Sequence, residues 1–97
     1  MRTIAIRTLR ECWQQHPDVE QPLRAWYANA KRSVWKSPAD VKTSYRNASI
    51  VSADRVVFNI KGNDYRLVVA IDYSYEVIYV RFVGTHRDYD RIDAKTI

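Results

Sequence analysis

The sequence predicts an α+β fold, in which an antiparallel sheet packs two N-terminal helices on one face and carries a cationic face opposite. Apolar residues recur at helical spacing near the N-terminus, and apolar and polar residues alternate through much of residues 56–89. Turn residues divide that second region into three strands. With 97 residues and 46% apolar content, the chain is expected to form a single domain, residues 1–97, around one core.

The N-terminal part predicts a short edge strand followed by two helices. Residues 1 to about 6 are assigned to the strand, and Pro17 ends the first helix. The apolar stripe of that helix follows the i, i+3, i+4, i+7 pattern and consists of Leu9, Cys12, Trp13 and His16. Asp18 and Gln21 resemble a capping box for the second helix, with Pro22 in its first turn. The stripe of the second helix consists of Leu23, Trp26, Tyr27, Ala30 and Val34. The two helices are expected to form a hairpin that covers the apolar face of the sheet.

A third helix start is predicted at Ser37. This serine occupies the N-cap position, a proline follows at N1, and Asp40 supplies an acidic residue at N3. The helix should be short and end near Tyr45. After it, Ile50 and Val51 are expected to add a strand or to extend the sheet.

The first hairpin of the sheet is predicted to turn at residues 62–63. Glycine at the first central position takes a positive φ without a Cβ clash and suits a type II′ turn. Lys61 should therefore lie opposite Asp64, and Asn59 opposite Arg66.

A second hairpin around residues 74–75 keeps the same alternation of side chains between the two faces. It places Arg81 opposite Val68, next to Arg66. The two faces of the sheet then separate. The apolar face carries Val56, Phe58, Ile60, Leu67, Val69, Ile71, Ile78, Val80 and Phe82. The polar face carries Arg55, Asn59, Lys61, Arg66, Tyr79 and Arg81. Residues 91–97 are expected to form a loose polar tail.

The polar face of the sheet is almost entirely cationic. A solvated face normally mixes charges of both signs, whereas here Asp64, beside the turn, is the nearby carboxylate. This composition favours an anion such as phosphate as the partner, and the alternative is an ordinary solvated face.

Histidine and tyrosine side chains follow the last strand. If the chain turns helically there, His86 and Tyr89 lie one turn apart on the same side. Together with Lys61, Arg66 and Arg81 they form a set suited to phosphodiester transfer without a metal, since the histidine can move protons while the cations hold phosphate. Such a reaction needs a ribose 2′-OH and therefore predicts RNA as the substrate. The alternative is a capping turn with a surface histidine.

Composition limits the remaining classes of function. Sixteen Lys and Arg against eleven Asp and Glu give a net charge of +5 and a pI near 9.6, which permits a nucleic-acid or acidic-protein partner. The single Cys12 cannot form an internal disulfide, and no apolar run is long enough for a signal peptide or a membrane span. A cytoplasmic protein without membrane contact is therefore expected. Neither metal-ligand spacing nor a glycine-rich phosphate loop is present, so no cofactor is predicted.

Three stretches of the sequence resemble HigB-type toxins of the RelE/ParE superfamily, which belong to type II toxin–antitoxin modules. They are Val57–Leu67 (VFNIKGNDYRL), Gly84–Ile92 (GTHRDYDRI) and Trp35–Lys42 (WKSPADVK). The resemblance covers nearly the whole chain. It implies a compact fold whose twisted sheet leaves one face concave.

The resemblance also implies an activity and its partners. The activity is ribosome-dependent cleavage of mRNA in the decoding site, which leaves a 2′,3′-cyclic phosphate or a 3′-phosphate. The partners are the ribosome, the mRNA and a helix-turn-helix antitoxin of the HigA type, with operator DNA bound only through the antitoxin.

Site residues follow from the same resemblance. Arg66 and Arg81 would bind the scissile phosphate, Asn59 would support them from across the strand, and His86 and Tyr89 are the acid and base candidates. The family often has glycine in place of the lysine in the turn. The predicted RNA-binding residues are Lys61, Arg55, Lys42 and Arg46, of which the last two could equally belong to an ordinary solvated surface.

Two other classes of function stay open from the sequence. One is a toxin of the same fold that inhibits another target, such as gyrase. The other is a nonenzymatic module that grips the RNA backbone and needs no defined acid or base.

Overall fold

A computed structural model describes residues 1–97 as a five-stranded sheet with four α-helices and one 3₁₀ turn. The strands are β1 (Arg2–Ile4), β2 (Ser49–Ile50), β3 (Arg55–Ile60), β4 (Tyr65–Asp72) and β5 (Val77–Thr85). The helices are α1 (Ile6–Gln15), α2 (Glu20–Arg32), α3 (Pro38–Ser44) and α4 (His86–Tyr89), and the 3₁₀ turn is Pro17–Val19. None of these helices combines the length and the apolar character needed to cross a bilayer.

The sheet has the order β1-β5-β4-β3-β2 and confirms the predicted α+β class. All neighbouring strands are antiparallel except β1, which pairs with β5 in parallel. The chain runs from β1 through the helices and the other strands before it reaches β5, and a parallel neighbour requires such a long connection. The edge position of the first strand is as predicted.

The helical hairpin formed by α1 and α2 has the predicted course, but its capping differs. Asp18 does not cap α2, whose N-cap residue is Val19 without a side-chain hydrogen bond. The Asp18 carboxylate accepts hydrogen bonds from Lys61 and Tyr65 instead. The predicted capping box is therefore wrong, because a tertiary contact takes the carboxylate away from the helix end.

The segment between α2 and α3 confirms one prediction and corrects another. Ser37 is the N-cap of α3, and its hydroxyl accepts a hydrogen bond from the Asp40 N–H at 3.4 Å. Val34, predicted to extend the stripe of α2, lies beyond the helix end and is 59% exposed. Trp35 fills the core in its place, where it stacks on Phe58 at a centroid distance of 6.1 Å.

The core lies between the helices and one face of the sheet. It combines residues of α1, α2 and α3 with the inward residues of β3, β4 and β5. Its largest fully buried side chains include Trp26, Phe58, Leu9, Leu23, Leu67 and Ile78. Burial of such side chains is the dominant favourable term in the folding of a domain of this size.

The β3–β4 hairpin has the predicted register. Asn59 pairs with Arg66, and the Asp64 N–H donates to the Lys61 carbonyl at 3.2 Å across the predicted turn residues. Lys61 itself has a φ of 54°, so the strand alternation no longer applies to its side chain. Its ammonium lies 2.7 Å from Asp18, in the turn between α1 and α2. The placement of Lys61 on the polar face is therefore wrong.

A β-bulge in β5 changes the register beyond Val80. Val69 pairs with Val80, but Val68 pairs with Phe82, so that Arg81 is an extra residue in β5. Phe82 consequently lies on the face opposite the helices, although it was predicted in the core wall. The predicted pairing of Arg81 with Val68 is wrong for the same reason.

The C-terminal segment, residues 89–97, packs on the face of the sheet opposite the helices, here called the outer face. It contacts an apolar row formed by Val57, Val68 and Phe82, called the outer apolar row. Ala94 in this segment is only 7% exposed. The prediction of a loose tail is therefore wrong, because the outer face carries apolar residues that need cover.

Candidate functional site

The outer face presents a polar row at the end nearest the β3–β4 turn. Asn59, Arg66 and Gly84 lie side by side on β3, β4 and β5. The Arg66 guanidinium is held by the turn beside it, since Nη1 donates to the carbonyls of Asn63 at 2.9 Å and of Tyr65 at 3.3 Å. These bonds use only part of its five N–H donors, and the others are available to an anion.

His86 follows β5 directly and is fixed by the same turn. Its backbone N–H donates to the Asp64 carbonyl at 3.1 Å. The Thr85 hydroxyl caps the short helix α4 by accepting from the Asp88 N–H at 3.2 Å. Arg66 and His86 are thus attached to two successive carbonyls of one turn, those of Asn63 and Asp64.

The imidazole of His86 has a carboxylate partner that was not predicted. Its Nδ1 lies 3.2 Å from Asp90 Oδ2, and both side chains are more than half exposed, at 53% and 62%. Because this contact is made through Nδ1, Nε2 stays free to give or take a proton. The i, i+4 spacing of His86 and Asp90 was the signal in the sequence that could have indicated this pair.

Tyr89 is placed differently from His86. It is half-buried and packs against the cluster that contains the outer apolar row. The structure gives its ring a packing contact and brings it into no polar contact with Arg66 or His86.

Arg81 lies in a separate depression from this polar row. The bulge directs it into an open cavity of about 610 Å³, whose lining also includes Arg55 and Tyr79. The covered outer apolar row lies between this cavity and Arg66. The predicted catalytic set is therefore not gathered in one cavity.

The predicted RNA-binding residues make several contacts within the protein. The Arg55 guanidinium pairs with Asp54 at 2.7 Å and donates to the Ile97 carbonyl at 3.0 Å. Lys42 donates to the carbonyls of Arg46 and Ala48, both at 2.7 Å.

Arg46 is exposed and lines a depression of about 370 Å³ that also includes Asn59. Of the predicted RNA-binding residues, Arg46 is therefore the one that extends the polar row.

A hydrogen-bond network under the turn was also missed. Asp18 accepts from Lys61 Nζ at 2.7 Å and from the Tyr65 hydroxyl at 3.0 Å. The hydrogen bonds from Lys61 and then Tyr65 lower the pKa of Asp18. Burial first, and then Asp18, raises the pKa of Tyr65 to about 12. The network anchors the turn that holds Arg66 and His86. Lys61 and Tyr65 lie 43 and 47 residues away from Asp18 in sequence.

The cysteine thiol and the possible metal ligands of the chain form no second reactive centre. Cys12 is buried, and burial, followed by the charges of Asp18 and Asp88, raises the pKa of its thiol, which disfavours a nucleophilic thiolate. No group of three or more His, Cys, Asp or Glu side chains is arranged to hold a metal ion.

The α+β fold, with helices packed on one face of a five-stranded sheet, agrees with the RelE-like class of proteins. The chain belongs to the HigB toxin family, the RelE-like toxic component of a toxin-antitoxin system, whose family model matches residues 19–92. The match extends from the start of α2 through α4 and includes Asn59, Arg66, His86 and Asp90.

Curated relatives extend the similarity to most of the chain. The chain is 26% identical over 92 residues to the mRNA interferase toxin HigB of Escherichia coli (strain K12), covering 93% of this chain and 88% of the relative. The same identity and coverage hold for the mRNA interferase HigB of Shigella flexneri. The mRNA interferase HigB of Escherichia coli O6:H1 (strain CFT073) is 21% identical over 94 residues, covering 95% and 91% of the two chains.

Proposed function

We propose that this toxin is a metal-independent endoribonuclease that cleaves translated mRNA on the ribosome and thereby stops translation and growth. The observation that supports it best is the attachment of Arg66 and His86 to successive carbonyls of the β3–β4 turn, at 2.9 and 3.1 Å. This arrangement combines a phosphate-binding guanidinium with a proton-transfer group on rigid backbone. The names of the curated relatives, mRNA interferases, support the same activity.

The proposed reaction is an attack of a ribose 2′-oxygen on the adjacent phosphorus. A base removes the 2′-OH proton, the new O2′–P bond forms, and the P–O5′ bond breaks as an acid protonates the 5′ oxygen. The products are a 2′,3′-cyclic phosphate and a free 5′-OH. Arg66 would stabilise the negative charge of the phosphorane through its free N–H donors, and the Asn59 amide opposite it would hold a second oxygen.

His86 is the proposed proton-transfer residue. Its contact with Asp90 at 3.2 Å orients the ring. The reaction also needs a second proton-transfer group, and the predicted candidate Tyr89 would have to leave its packing position to provide it. Arg81 would contact the RNA in its own cavity.

The exposure of this site supports a role for the ribosome. His86 is 53% exposed, and the depression beside Asn59 is open, so the toxin alone provides few walls to orient an RNA strand or exclude water. We infer that the decoding site of the ribosome positions the mRNA against the outer face. The antitoxin partner of this family is proposed to be a HigA-like helix-turn-helix protein, through which alone the toxin would be held at operator DNA.

Cleavage by purified protein tests the proposal. Wild type, Arg66→Ala and His86→Ala would be incubated with an mRNA, with and without ribosomes, and the new 5′ ends and their phosphate chemistry would be mapped. We expect cleavage within translated codons by the wild type and a loss of roughly a hundredfold or more in either variant. One charge-stabilising contact such as that of Arg66 typically contributes about 3 kcal/mol, and a proton-transfer group such as His86 typically contributes roughly a hundred- to ten-thousandfold.

Arg87→Ala is the matched control. Arg87 is exposed, cationic and next to His86 on α4, so its loss tests whether charge alone matters. Cleavage of the mRNA without ribosomes would contradict the proposed dependence on the ribosome but not the endoribonuclease activity. RNA binding without cleavage would favour the nonenzymatic module, and growth arrest without new RNA ends would favour inhibition of another target.

A further inference from the structure

The cavity beside the β5 bulge has an aromatic side chain and a free cation at its edge. Tyr79 is 38% exposed and lies one residue before Val80, and Arg81 follows in the bulge. Both residues line the cavity of about 610 Å³. Arg81 is exposed and takes part in none of the ion pairs of the chain.

We propose that this cavity binds one nucleotide of the RNA that flanks the cleaved bond, with its base on the Tyr79 ring and its phosphate on Arg81. The inference rests on the proposed function and adds a second binding position to it. A base stacks on an aromatic ring whatever its identity, and an arginine fork binds phosphate oxygens.

The wall of the cavity has polar groups suited to a nucleotide. Arg55 Nε and the Tyr73 hydroxyl are buried without a hydrogen-bond partner, and both residues line the cavity. Asp54 and Asp72 also line it and balance the charges of Arg55 and Arg81. Such a lining does not suit a bare polyanion. It suits a ligand that combines a phosphate with base N–H groups, which carboxylates can accept.

Strand geometry connects the cavity to the proposed cleavage site. Tyr79 pairs with Ala70 and Gly84 with Arg66, so the two positions are four residues apart along β4. At about 3.3 Å per residue this is roughly 13 Å along one strand. A short extended stretch of RNA that crosses the C-terminal segment can therefore reach both positions.

Binding of a short RNA that cannot be cleaved tests the inference. A labelled 2′-O-methyl oligonucleotide lacks the attacking hydroxyl, so its binding to wild type, Tyr79→Ala and Arg81→Gln can be followed by fluorescence anisotropy. Tyr79→Ala should weaken binding by roughly five- to a hundredfold, the range typical of one stacked base, and Tyr79→Phe should restore it. Arg81→Gln should weaken binding and reduce the salt dependence by about one ion.

Two matched variants serve as controls. Tyr75→Ala removes a tyrosine that is 80% exposed and lies outside the cavity, and Arg10→Gln removes an exposed arginine from the opposite side of the fold. Neither should change binding.

Equal affinity of wild type, Tyr79→Ala and Arg81→Gln would overturn the inference, as would a Tyr79→Ala variant that weakens antitoxin binding alone. The cavity is open in the free protein, so a wild-type protein that does not bind the oligonucleotide would also overturn the inference. A wild type that binds the oligonucleotide through this cavity but cleaves no mRNA would instead refute the proposed function.

Discussion

Gly84 offers a sharp test of how closely the sheet and α4 are packed. A Cβ added at this position would lie 2.9 Å from Phe82 Cζ and 3.4 Å from Asp88 Cβ. Carbon atoms do not approach to 2.9 Å without repulsion, so Gly84→Ala must displace the Phe82 ring. The backbone of Gly84 does not have a positive φ, and strain of the main chain therefore plays no part.

The expected cost can be worked out from two opposing effects. Overpacking of a dense site typically costs about 1–3 kcal/mol. Replacing glycine by alanine lowers the conformational entropy of the unfolded chain and thereby stabilises the folded state by about 0.4–1 kcal/mol. The net loss should be roughly 1–2 kcal/mol, which corresponds to a fall in Tm on the order of 5–15 °C for a domain of this size.

A double-mutant cycle with Phe82→Leu assigns the loss to the ring. Leucine lacks the Cζ and Cε2 atoms that lie 2.9 and 3.4 Å from the added Cβ. Urea denaturation of the four proteins should show that Gly84→Ala costs about 1 kcal/mol less in the Phe82→Leu variant than in the wild type. An equal loss in both proteins, or a Gly84→Ala variant as stable as the wild type, would refute the reasoning.

Three further perturbations test contacts elsewhere. Ser37→Ala should lower the free energy of unfolding by roughly 0.5–1 kcal/mol in urea denaturation through loss of the N-cap of α3, and Ser37→Asp should retain it. Because the folded-state pKa of Asp18 is lowered, its contribution to stability is present above the ordinary carboxyl pKa of 3.8 and is lost as pH falls through the folded value. The stability difference between wild type and Asp18→Asn should therefore shrink towards about pH 2 in isothermal denaturation, and a constant difference would contradict the assignment. Tyr65 has a pKa of about 12, so the phenol contributes stability that is present below pH 10 and lost as pH rises through 12. In an alkaline absorbance titration, Tyr65→Phe should remove the ionisation step near pH 12.

Much of the fold followed from local signals in the sequence. The N-cap serine of α3, the proline after α1 and the glycine of the β3–β4 turn act through backbone geometry within a few residues. The pairing of Asn59 with Arg66 followed from that turn and the two-residue period of strands. Such features are predictable because the residues that cause them are neighbours in the chain.

The contacts that the sequence did not reveal join distant segments. The Asp18 carboxylate had a plausible local role as a helix cap, but Lys61 and Tyr65 compete for it from 43 and 47 residues away. The site was predictable only in part for the same reason. Arg66 and His86 were predicted as site residues, but their common attachment to the β3–β4 turn was not predicted. The contact of His86 with Asp90 follows the i, i+4 spacing of a helix.

The β5 bulge explains why the residues of the polar face were predicted to form one surface and are found on two sides of the outer apolar row. One extra residue at Arg81 reverses the alternation, so that Phe82 joins Val57 and Val68 on the outer face. An apolar row in the middle of a solvated sheet is costly, and the C-terminal segment covers it. The cover separates Arg66 and His86 from Arg81. If the bulge were absent, Phe82 would return to the core side and the outer apolar row would lose its largest member. The separation of the two depressions is therefore a consequence of the bulge, and a sequence pattern that assumes unbroken alternation cannot predict it.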